Sequence, residues 1–184
     1  MSKENKEIEV RFINLSRDDI EKKLLRIGAE RTGEFFFREW IFAQPEWEKD
    51  HRRLRVRTDG RTTWLTYKAN PTWEVDSTEE RETTVGSAEE ISNIIKAIGV
   101  PCVRYQEKKR IRYVLNDIVF ELDFWPQIPM VFEIEASSVE KVKEGARLLG
   151  LDYGDAIFVD QKVLHKEYYG IDLDSVQSYK FAPQ

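Results

Sequence analysis

The sequence predicts one α+β domain with about eight strands in an antiparallel sheet and three or four helices. Three observations support this prediction. Strand-like stretches alternate charged and apolar residues, which is typical of antiparallel sheets with two unlike faces. A strand followed by an amphipathic helix recurs along the chain. The 184 residues suit one domain and no glycine- or serine-rich linker divides them, so we assign residues 1–184 to a single domain.

Composition narrows the class of protein. Charged residues make up 34% of the chain but the net charge is only -5, whereas a general nucleic-acid binder would be clearly basic, so we expect no sequence-specific nucleic-acid partner. The single cysteine, Cys102, cannot form an internal disulfide and suits a reducing compartment. The first ten residues lack an apolar signal segment, and no apolar run reaches membrane-spanning length. We therefore expect a cytoplasmic protein without membrane contact.

A strand–helix unit repeats weakly along the chain. The strands of this unit are residues 7–12, 79–85 and 132–136, and each contains a Glu-x-Glu pair. A serine follows each strand as the candidate N-cap of a helix: Ser16, Ser87 and either Ser137 or Ser138. A glycine suited to a left-handed helix end closes each unit: Gly28, Gly99 and Gly150. Apolar residues at helical spacing between serine and glycine complete the prediction of three helices.

Further strands are predicted where charged and apolar residues alternate with period two, at residues 52–57, 63–68, 108–115 and 119–125. A strand face with charges is ordinarily solvated. Here the signs are separated by strand, although a merely solvated face would more often mix them, since like charges on one strand face repel. The amphipathic helices also need the apolar sheet face for packing. Together these features favour charged faces that point inward.

An inward charged face would give an unusual interior. Eight strands closed into a barrel leave room for side chains or one small ligand. An interior lined with carboxylates and guanidiniums cannot be dry, because buried charge without compensation is very costly. Clustered carboxylates suit Mg²⁺ or Mn²⁺, and clustered arginine and lysine suit phosphate oxygens. The pattern therefore predicts a site for a metal-bound polyphosphate.

Seven short motifs follow one another between about residues 7 and 150. They are Glu7-Ile8-Glu9-Val10-Arg11, Leu54-Arg55-Val56-Arg57, Leu65-Thr66-Tyr67-Lys68, Glu80 with Glu82, Lys108 with Arg110 and Tyr113, Leu122-Asp123, and Glu133-Ile134-Glu135. In this order they resemble the signature of the CYTH proteins, or triphosphate tunnel metalloenzymes, which include class IV adenylyl cyclases, thiamine triphosphatases and inorganic tripolyphosphatases. The resemblance implies an eight-stranded antiparallel closed β-barrel, or tunnel, with helices packed outside.

The resemblance also implies residue roles. The acidic positions that would hold divalent metal are Glu7, Glu9, Asp123, Glu133 and Glu135, and those that would bind the triphosphate are Arg11, Arg55, Arg57, Lys68 and Arg110. Five further residues occupy the alternate strand positions that would point inward, and they can belong to either group. Among them we assign Glu121 to the metal, and Lys108 and Arg112 to the substrate. We assign catalysis to Glu80 and Glu82, together with Arg11 and Lys68. Arg11 stands where the family usually has lysine. Because arginine does not lose its proton, a proton-transfer role at this position is in doubt.

The implied chemistry is phosphoryl transfer with Mg²⁺ or Mn²⁺ as cofactor. Attack by water makes the protein a triphosphatase that hydrolyses tripolyphosphate, ATP or thiamine triphosphate, and this is the function we expect. Attack by a ribose 3′-hydroxyl makes it a class IV adenylyl cyclase, but no aromatic residue stands out as a platform for adenine. A third possible function is a non-catalytic sensor of nucleotides or polyphosphate. The many acidic positions argue against it, because a protein that only binds anions needs no metal ligands. Because family members are often dimers, a homodimer is also implied as an alternative to a monomer.

Overall fold

The computed structural model describes residues 8–69 and 79–182 and confirms an α+β architecture built on antiparallel strands. The strands are β1 (Ile8–Phe12), β2 (Glu30–Phe42), β3 (Arg53–Thr58), β4 (Thr63–Ala69), β5 (Glu79–Val85), β6 (Cys102–Leu115), β7 (Ile118–Phe124), β8 (Val131–Ala136) and β9 (Ser178–Tyr179). The helices are α1 (Arg17–Arg26), α2 (Ala88–Ala97), α3 (Val139–Leu148) and α4 (Gln161–Tyr169), with 3-10 turns at Pro45–Asp50 and Tyr153–Asp155. Two strands were not predicted: the long strand β2 and the two-residue strand β9, which pairs in parallel with β6.

The chain divides into two compact units. Unit 1 consists of Met1–Phe35 and Lys109–Val159, and unit 2 of Phe36–Lys108 and Asp160–Gln184. The long strands β2 and β6 therefore contribute residues to both units. The single domain expected from the sequence stays a prediction, and each unit is described by itself.

Unit 1 contains an antiparallel sheet in the order β1-β8-β7-β6. Alternate residues on one face of this sheet, such as Val10, Phe120 and Ile134, are fully buried. Helices α1 and α3 cover that face with apolar residues that include Leu24 and Val142. Because the side chains alternate along every strand, the charged residues of β1, β7 and β8, together with Arg110 and Arg112 of β6, lie on the opposite face.

The helix boundaries follow the predicted chemistry. The serine hydroxyls of Ser16, Ser87 and Ser138 each accept a hydrogen bond from the backbone N–H three residues later, and Ser138 rather than Ser137 is the third cap. Beyond the C-terminal ends of the same three helices, the glycines Gly28, Gly99 and Gly150 have φ values of 80°, 92° and 63°. The left-handed backbone at these positions favours glycine because it has no Cβ.

Gly145 lets helix α3 approach the sheet of unit 1 closely. A Cβ at this position would lie 3.0 Å from Ile134, 3.1 Å from Ile118 and 3.2 Å from Phe120. We expect Gly145→Val to lower the free energy of unfolding by about 2 kcal/mol, because these packed side chains cannot all withdraw. Urea unfolding tests this, with Glu144→Val on the exposed side of the same helix as the matched control. Equal stability of the two variants would contradict the close packing.

Unit 2 contains the antiparallel order β2-β3-β4-β5. Its apolar face buries Phe42 and Val56 against Ile95 of helix α2. Helix α4 begins at the cap Asp160, and its buried His165 packs edge-on against Tyr179 of β9. As in unit 1, a helix therefore packs on the apolar face, and Arg55, Arg57 and Lys68 lie on the other face.

The prediction that the strands close into a barrel is wrong for the residues that the structure describes. A closed barrel gives every strand two strand neighbours. Among residues 8–69 and 79–182, however, β1 pairs with β8 alone and β5 with β4 alone. The other edge of β1 is used differently, because Arg11 and Ile157 exchange backbone hydrogen bonds of 3.0 and 2.8 Å. Strand β5 is almost entirely exposed, as expected of an edge strand.

Candidate functional site

Four charged side chains form a row across the sheet of unit 1. In register, Arg11 of β1 lies opposite Glu133 of β8, Glu133 opposite Glu121 of β7, and Glu121 opposite Arg112 of β6. Two adjacent carboxylates therefore lie between two arginines. Cross-strand neighbours on one face are close enough to interact directly, so the strand register alone places this row of charges.

Three carboxylates of this face form what we call the acidic cluster: Glu121, Asp123 and Glu133. One oxygen from each lies within 4.8 Å of the others, and all three side chains are buried. Buried like charges at this separation repel strongly unless a cation lies among them. Three hard oxygen donors that converge in this way suit Mg²⁺ or Mn²⁺ in their chemistry.

The guanidinium of Arg110 lies among the carboxylates of the acidic cluster. Its Nε and one terminal nitrogen donate to the two oxygens of Asp123, both at 2.5 Å. The same terminal nitrogen donates to Glu133 at 2.9 Å, and the other terminal nitrogen forms a short ion pair with Glu121. The three negative charges thereby raise the pKa of Arg110 well above its ordinary value although burial alone would lower it.

Arg11 links the acidic cluster to the first motif of the sequence. Its guanidinium donates to Glu133 at 2.8 Å, to Glu9 at 2.5 Å and to the backbone oxygen of Val159 at 2.6 Å. Burial would lower the pKa of Arg11, but the charges of Glu9 and Glu133 and their hydrogen bonds raise it instead. Arg11 therefore stays protonated and serves as a fixed positive charge.

The carboxyl of Glu133 is buried among other carboxylates and two arginines. Burial raises the pKa of its carboxyl above the ordinary value, and the charges of Asp123 and Glu9 act in the same direction, whereas Arg11 and Arg110 oppose them. Metal binding requires the ionised carboxylate, so a cation that replaces a proton on Glu133 would be bound more weakly as the pH falls.

Two other predicted metal ligands, Glu9 and Glu135, lie within the described residues and are not members of the acidic cluster. Glu9 and Glu135 are directly opposite each other on β1 and β8, on the same charged face, and Glu9 is the more exposed partner of Arg11. Glu7 lies outside the described residues. Arg112 donates to Glu121 at 2.8 Å and is about half exposed. Seven predicted residues are thus linked by ion pairs in unit 1: Glu9, Arg11, Arg110, Arg112, Glu121, Asp123 and Glu133.

The charged face of unit 2 carries a second group, the basic cluster, made of Arg55, Arg57, Lys68 and Lys108. Glutamates of the edge strand β5 hold two of its members: Lys68 pairs with Glu80 at 2.5 Å, and Arg57 with Glu82 at 3.5 Å. Arg55 lies 3.8 Å from Glu80 and 3.6 Å from Glu82, so both glutamates bridge neighbouring strands. Predicted catalytic and substrate-binding residues are therefore neighbours here.

Glu39 of β2 belongs to this face and was missed by the sequence analysis. Its side chain is only 1% exposed; Gln106 donates to one carboxylate oxygen at 2.5 Å, and Arg55 lies 3.9 Å from the other. Burial would raise the pKa of Glu39, but the charges of Arg55, Lys108 and Arg57 lower it. The only signal in the sequence was a lone acid inside the aromatic stretch FFFREWIF; the structure places it directly opposite Arg57 in register.

Aromatic rings fix the direction of the cations in the basic cluster. The guanidinium carbon of Arg57 lies 4.8 Å from the ring centre of Phe37 and 5.1 Å from that of Trp64. The ammonium nitrogen of Lys108 lies 5.9 Å from the same phenylalanine ring. Cation–π contacts of this kind hold a long side chain in one position without neutralising its charge, which leaves the charge available to an anion.

Glu39 makes a testable contribution to stability. We expect Glu39→Gln to lower the free energy of unfolding at pH 7 by about 2 kcal/mol, because the buried cations around it lose their counter-charge. The pKa of Glu39 in the folded protein is below the ordinary 4.5, so its contribution is complete above that pH and disappears as the pH falls through the lower folded value.

Urea unfolding across pH measures this contribution. The difference between the wild type and Glu39→Gln should shrink as the pH falls below 4.5. Glu34→Gln, which alters an exposed carboxylate of the same strand, is the control and should cost less than about 0.5 kcal/mol at any pH. A Glu39→Gln deficit that is constant with pH would contradict the ion-pair account.

The C-terminal part of unit 2 contains lysines of the tail. Lys162 forms an ion pair with Asp174, and Lys166 with Asp172 at 3.0 Å. Asp174 also lies 4.0 Å from Arg104, whose guanidinium donates to the backbone oxygen of Leu173 at 2.8 Å. These lysines therefore have partners within the tail itself.

Comparisons with known proteins identify the family. Residues 5–155 match the model of the CYTH domain. The PH1012 protein of Pyrococcus horikoshii OT3 is 25% identical, with a TM-score of 0.70 over 84% of this chain and 99% of that chain. A candidate adenylate cyclase of Vibrio parahaemolyticus is 16% identical, with a TM-score of 0.73 over 86% of this chain and 96% of that chain. Hippeastrum HpAC1, described with a dominant triphosphatase activity, is 16% identical, with a TM-score of 0.63 over 91% of this chain and 97% of that chain.

These structural likenesses agree with the family match. At 16% identity, the Vibrio and Hippeastrum proteins support the fold alone. None of the curated proteins matches this chain significantly. In the described part of the chain, no helix is both long and apolar enough to cross a membrane. Because the family model covers residues 5–155, most of the sequence, this chain belongs to the CYTH domain family.

Proposed function

We propose that this protein hydrolyses a triphosphate-containing small molecule with the help of a divalent metal ion. The observation that carries the proposal is the convergence of three buried carboxylates with arginines around them on the charged face of unit 1. Carboxylates alone would suit a cation, and arginines alone would suit an anion. Their combination on one face has the chemistry that a metal-bound polyphosphate requires, and membership of the CYTH family supports the same conclusion.

Glu121, Asp123 and Glu133 are the residues that would hold Mg²⁺ or Mn²⁺, with Glu7, Glu9 and Glu135 as further candidates. When bound, such an ion neutralises charge on phosphate oxygens and stabilises the charge that develops as the phosphoryl group is transferred. The role of the carboxylates is to offer ionised oxygens at fixed positions. Burial helps them, because a dry environment strengthens every electrostatic interaction at the site.

Arginines of both units are the proposed anion-binding groups. In unit 1, Arg11 and Arg112 lie at the two ends of the charged row. In unit 2, the basic cluster has the composition of a phosphate-binding surface by itself, with the planar guanidiniums of Arg55 and Arg57 suited to bidentate contacts. We assign triphosphate binding to these residues, together with Lys68, Lys108 and Arg110.

The proton of the attacking water needs an acceptor. Arg11 cannot accept it, because a guanidinium does not lose its own proton in proteins. We propose a carboxylate for this role, with Glu80 and Glu82 as the candidates because both are partly exposed. Lys68, which pairs with Glu80, is proposed to stabilise negative charge on the reacting phosphate.

One assay tests the proposed function. The protein is incubated with tripolyphosphate, ATP or thiamine triphosphate, each with Mg²⁺ or Mn²⁺ and with a chelator as the control. We expect metal-dependent release of orthophosphate. Formation of cyclic AMP and pyrophosphate from ATP would instead identify an adenylyl cyclase, and tight binding without turnover would identify a sensor. Either of these results would overturn the proposed hydrolysis.

A further inference from the structure

We infer that the guanidinium of Arg110 acts as an internal cation that occupies the metal position of the acidic cluster and exchanges with the divalent ion. The inference rests on the proposed function only in one respect, namely that the anionic ligand of Arg110 is a polyphosphate. In this account Arg110 has two alternative partners, the carboxylates of the acidic cluster and an anionic ligand, and metal binding selects between them.

The contacts of Arg110 support exchange because they use all three of its nitrogens. Two nitrogens bind the two oxygens of Asp123, and the remaining contacts reach Glu121 and Glu133. These are the carboxylates whose oxygens lie within 4.8 Å of one another. Every member of the acidic cluster is therefore engaged by the same side chain.

The same oxygens cannot serve both cations. Mg²⁺ binds carboxylate oxygens at about 2.0–2.1 Å, whereas a guanidinium nitrogen ordinarily donates to a carboxylate at about 2.7–2.9 Å. A divalent ion coordinated by the acidic cluster would lie against the positive guanidinium that now fills the space between the carboxylates. Like charges in a buried site repel strongly, so the ion and the present position of Arg110 exclude each other.

Exchange has a consequence for anion binding. A displaced guanidinium needs a new acceptor, and two oxygens of a phosphate group match its planar pair of donors. Metal binding should therefore raise the affinity for a polyphosphate through Arg110, in addition to any contact between metal and phosphate. By thermodynamic linkage the polyphosphate must raise the affinity for the metal by the same factor.

Neighbouring arginines provide the matched comparison. Arg112 also binds Glu121, at 2.8 Å, but none of its hydrogen bonds or ion pairs in the described residues involves Asp123 or Glu133. It carries the same charge on the same strand face. A general loss of positive charge is therefore the same in Arg112→Gln and Arg110→Gln, and only the second substitution vacates the space among the three carboxylates.

The experiment measures Mn²⁺ binding to the full chain by electron paramagnetic resonance, without any phosphate. We expect Arg110→Gln to bind Mn²⁺ about tenfold more tightly than the wild type, because the ion no longer competes with the guanidinium. Arg112→Gln should change the affinity clearly less. Unchanged or weaker Mn²⁺ binding in Arg110→Gln, or an equal gain in Arg112→Gln, would overturn the inference.

A second measurement keeps the test valid if Arg110→Gln does not fold. In the wild type, nitrogen-15 NMR follows the Nε–H group of Arg110 during titration with Mg²⁺. Exchange predicts a shift of this signal when Mg²⁺ binds and a further shift on addition of tripolyphosphate. A signal that Mg²⁺ leaves unchanged at saturation would contradict the exchange.

These readouts do not depend on turnover. If the protein releases no phosphate from any triphosphate while Arg110→Gln binds Mn²⁺ more tightly, the proposed hydrolysis fails and the exchange stands. If phosphate is released and the Mn²⁺ affinity of Arg110→Gln does not rise, the exchange fails and the hydrolysis stands. The two conclusions are therefore tested separately.

Discussion

Asp123→Asn is expected to lower metal-dependent triphosphate turnover by about 10²- to 10³-fold, the cost of losing one fixed electrostatic group in an active site. Asp123 is fully buried and belongs to the acidic cluster. Asparagine has nearly the same shape but no negative charge, so the cluster would lose one of its three ionised ligands. The measurement is the rate of orthophosphate release at saturating Mg²⁺ and Mn²⁺.

The control for Asp123→Asn lies at the start of the same hairpin. Asp117 is an exposed residue between β6 and β7, and its carboxylate pairs with Lys141. Asp117→Asn removes the same charge from the same part of the chain and should leave the rate unchanged. Full turnover of Asp123→Asn at saturating metal would show that the acidic cluster does not hold the catalytic ion.

Arg57→Ala is expected to lower kcat/KM for the triphosphate by about 10- to 100-fold, with an increase in KM as well as a decrease in kcat. A charge-assisted hydrogen bond contributes about 1.5–3 kcal/mol, and each 1.4 kcal/mol corresponds to a factor of about ten. Arg57 is suited to this contact because Phe37 and Trp64 hold its guanidinium in place. Steady-state kinetics with the preferred triphosphate measure the effect.

Two variants sharpen the Arg57 experiment. Arg57→Lys keeps the charge but loses the planar pair of donors, so it should restore only part of the loss if the contact is bidentate. Arg61→Ala removes an exposed arginine from the turn between β3 and β4 and should leave both kinetic constants unchanged. Equal kinetics for Arg57→Ala and Arg61→Ala would exclude a specific role for Arg57 in substrate binding.

Local patterns in the sequence predicted the fold well wherever neighbouring residues decide the structure. Period-two alternation placed Arg55 and Arg57 on one face and Leu54 and Val56 on the other, and the structure has the same arrangement. Serine before and glycine after a helix also act within a single turn, which is why the three capped helices could be predicted. Local chemistry of this kind does not depend on distant parts of the chain.

Features that depend on pairing between distant parts of the chain were harder to predict from the sequence. The prediction of a closed barrel was wrong because the edge of β1 that does not face β8 pairs with Ile157. Ile157 follows its partner Arg11 by 146 positions, and no local sequence pattern indicates this pairing. Glu39 and the contacts of Arg110 with the acidic cluster were also missed. The alternation of side chains along a strand places both residues on charged faces. Only the strand register, however, brings Arg110 beside Asp123 and Glu39 beside Arg57.

The most direct test of the account is the position of a bound metal ion. Crystals of the full chain soaked with Mn²⁺ would be measured at the manganese absorption edge, where anomalous scattering locates the ion without prior assumptions. We predict an anomalous peak for an ion coordinated by Glu121, Asp123 and Glu133, with the guanidinium of Arg110 moved away from these carboxylates. A peak at another site, or no peak in crystals of protein that shows manganese-dependent turnover, would contradict it.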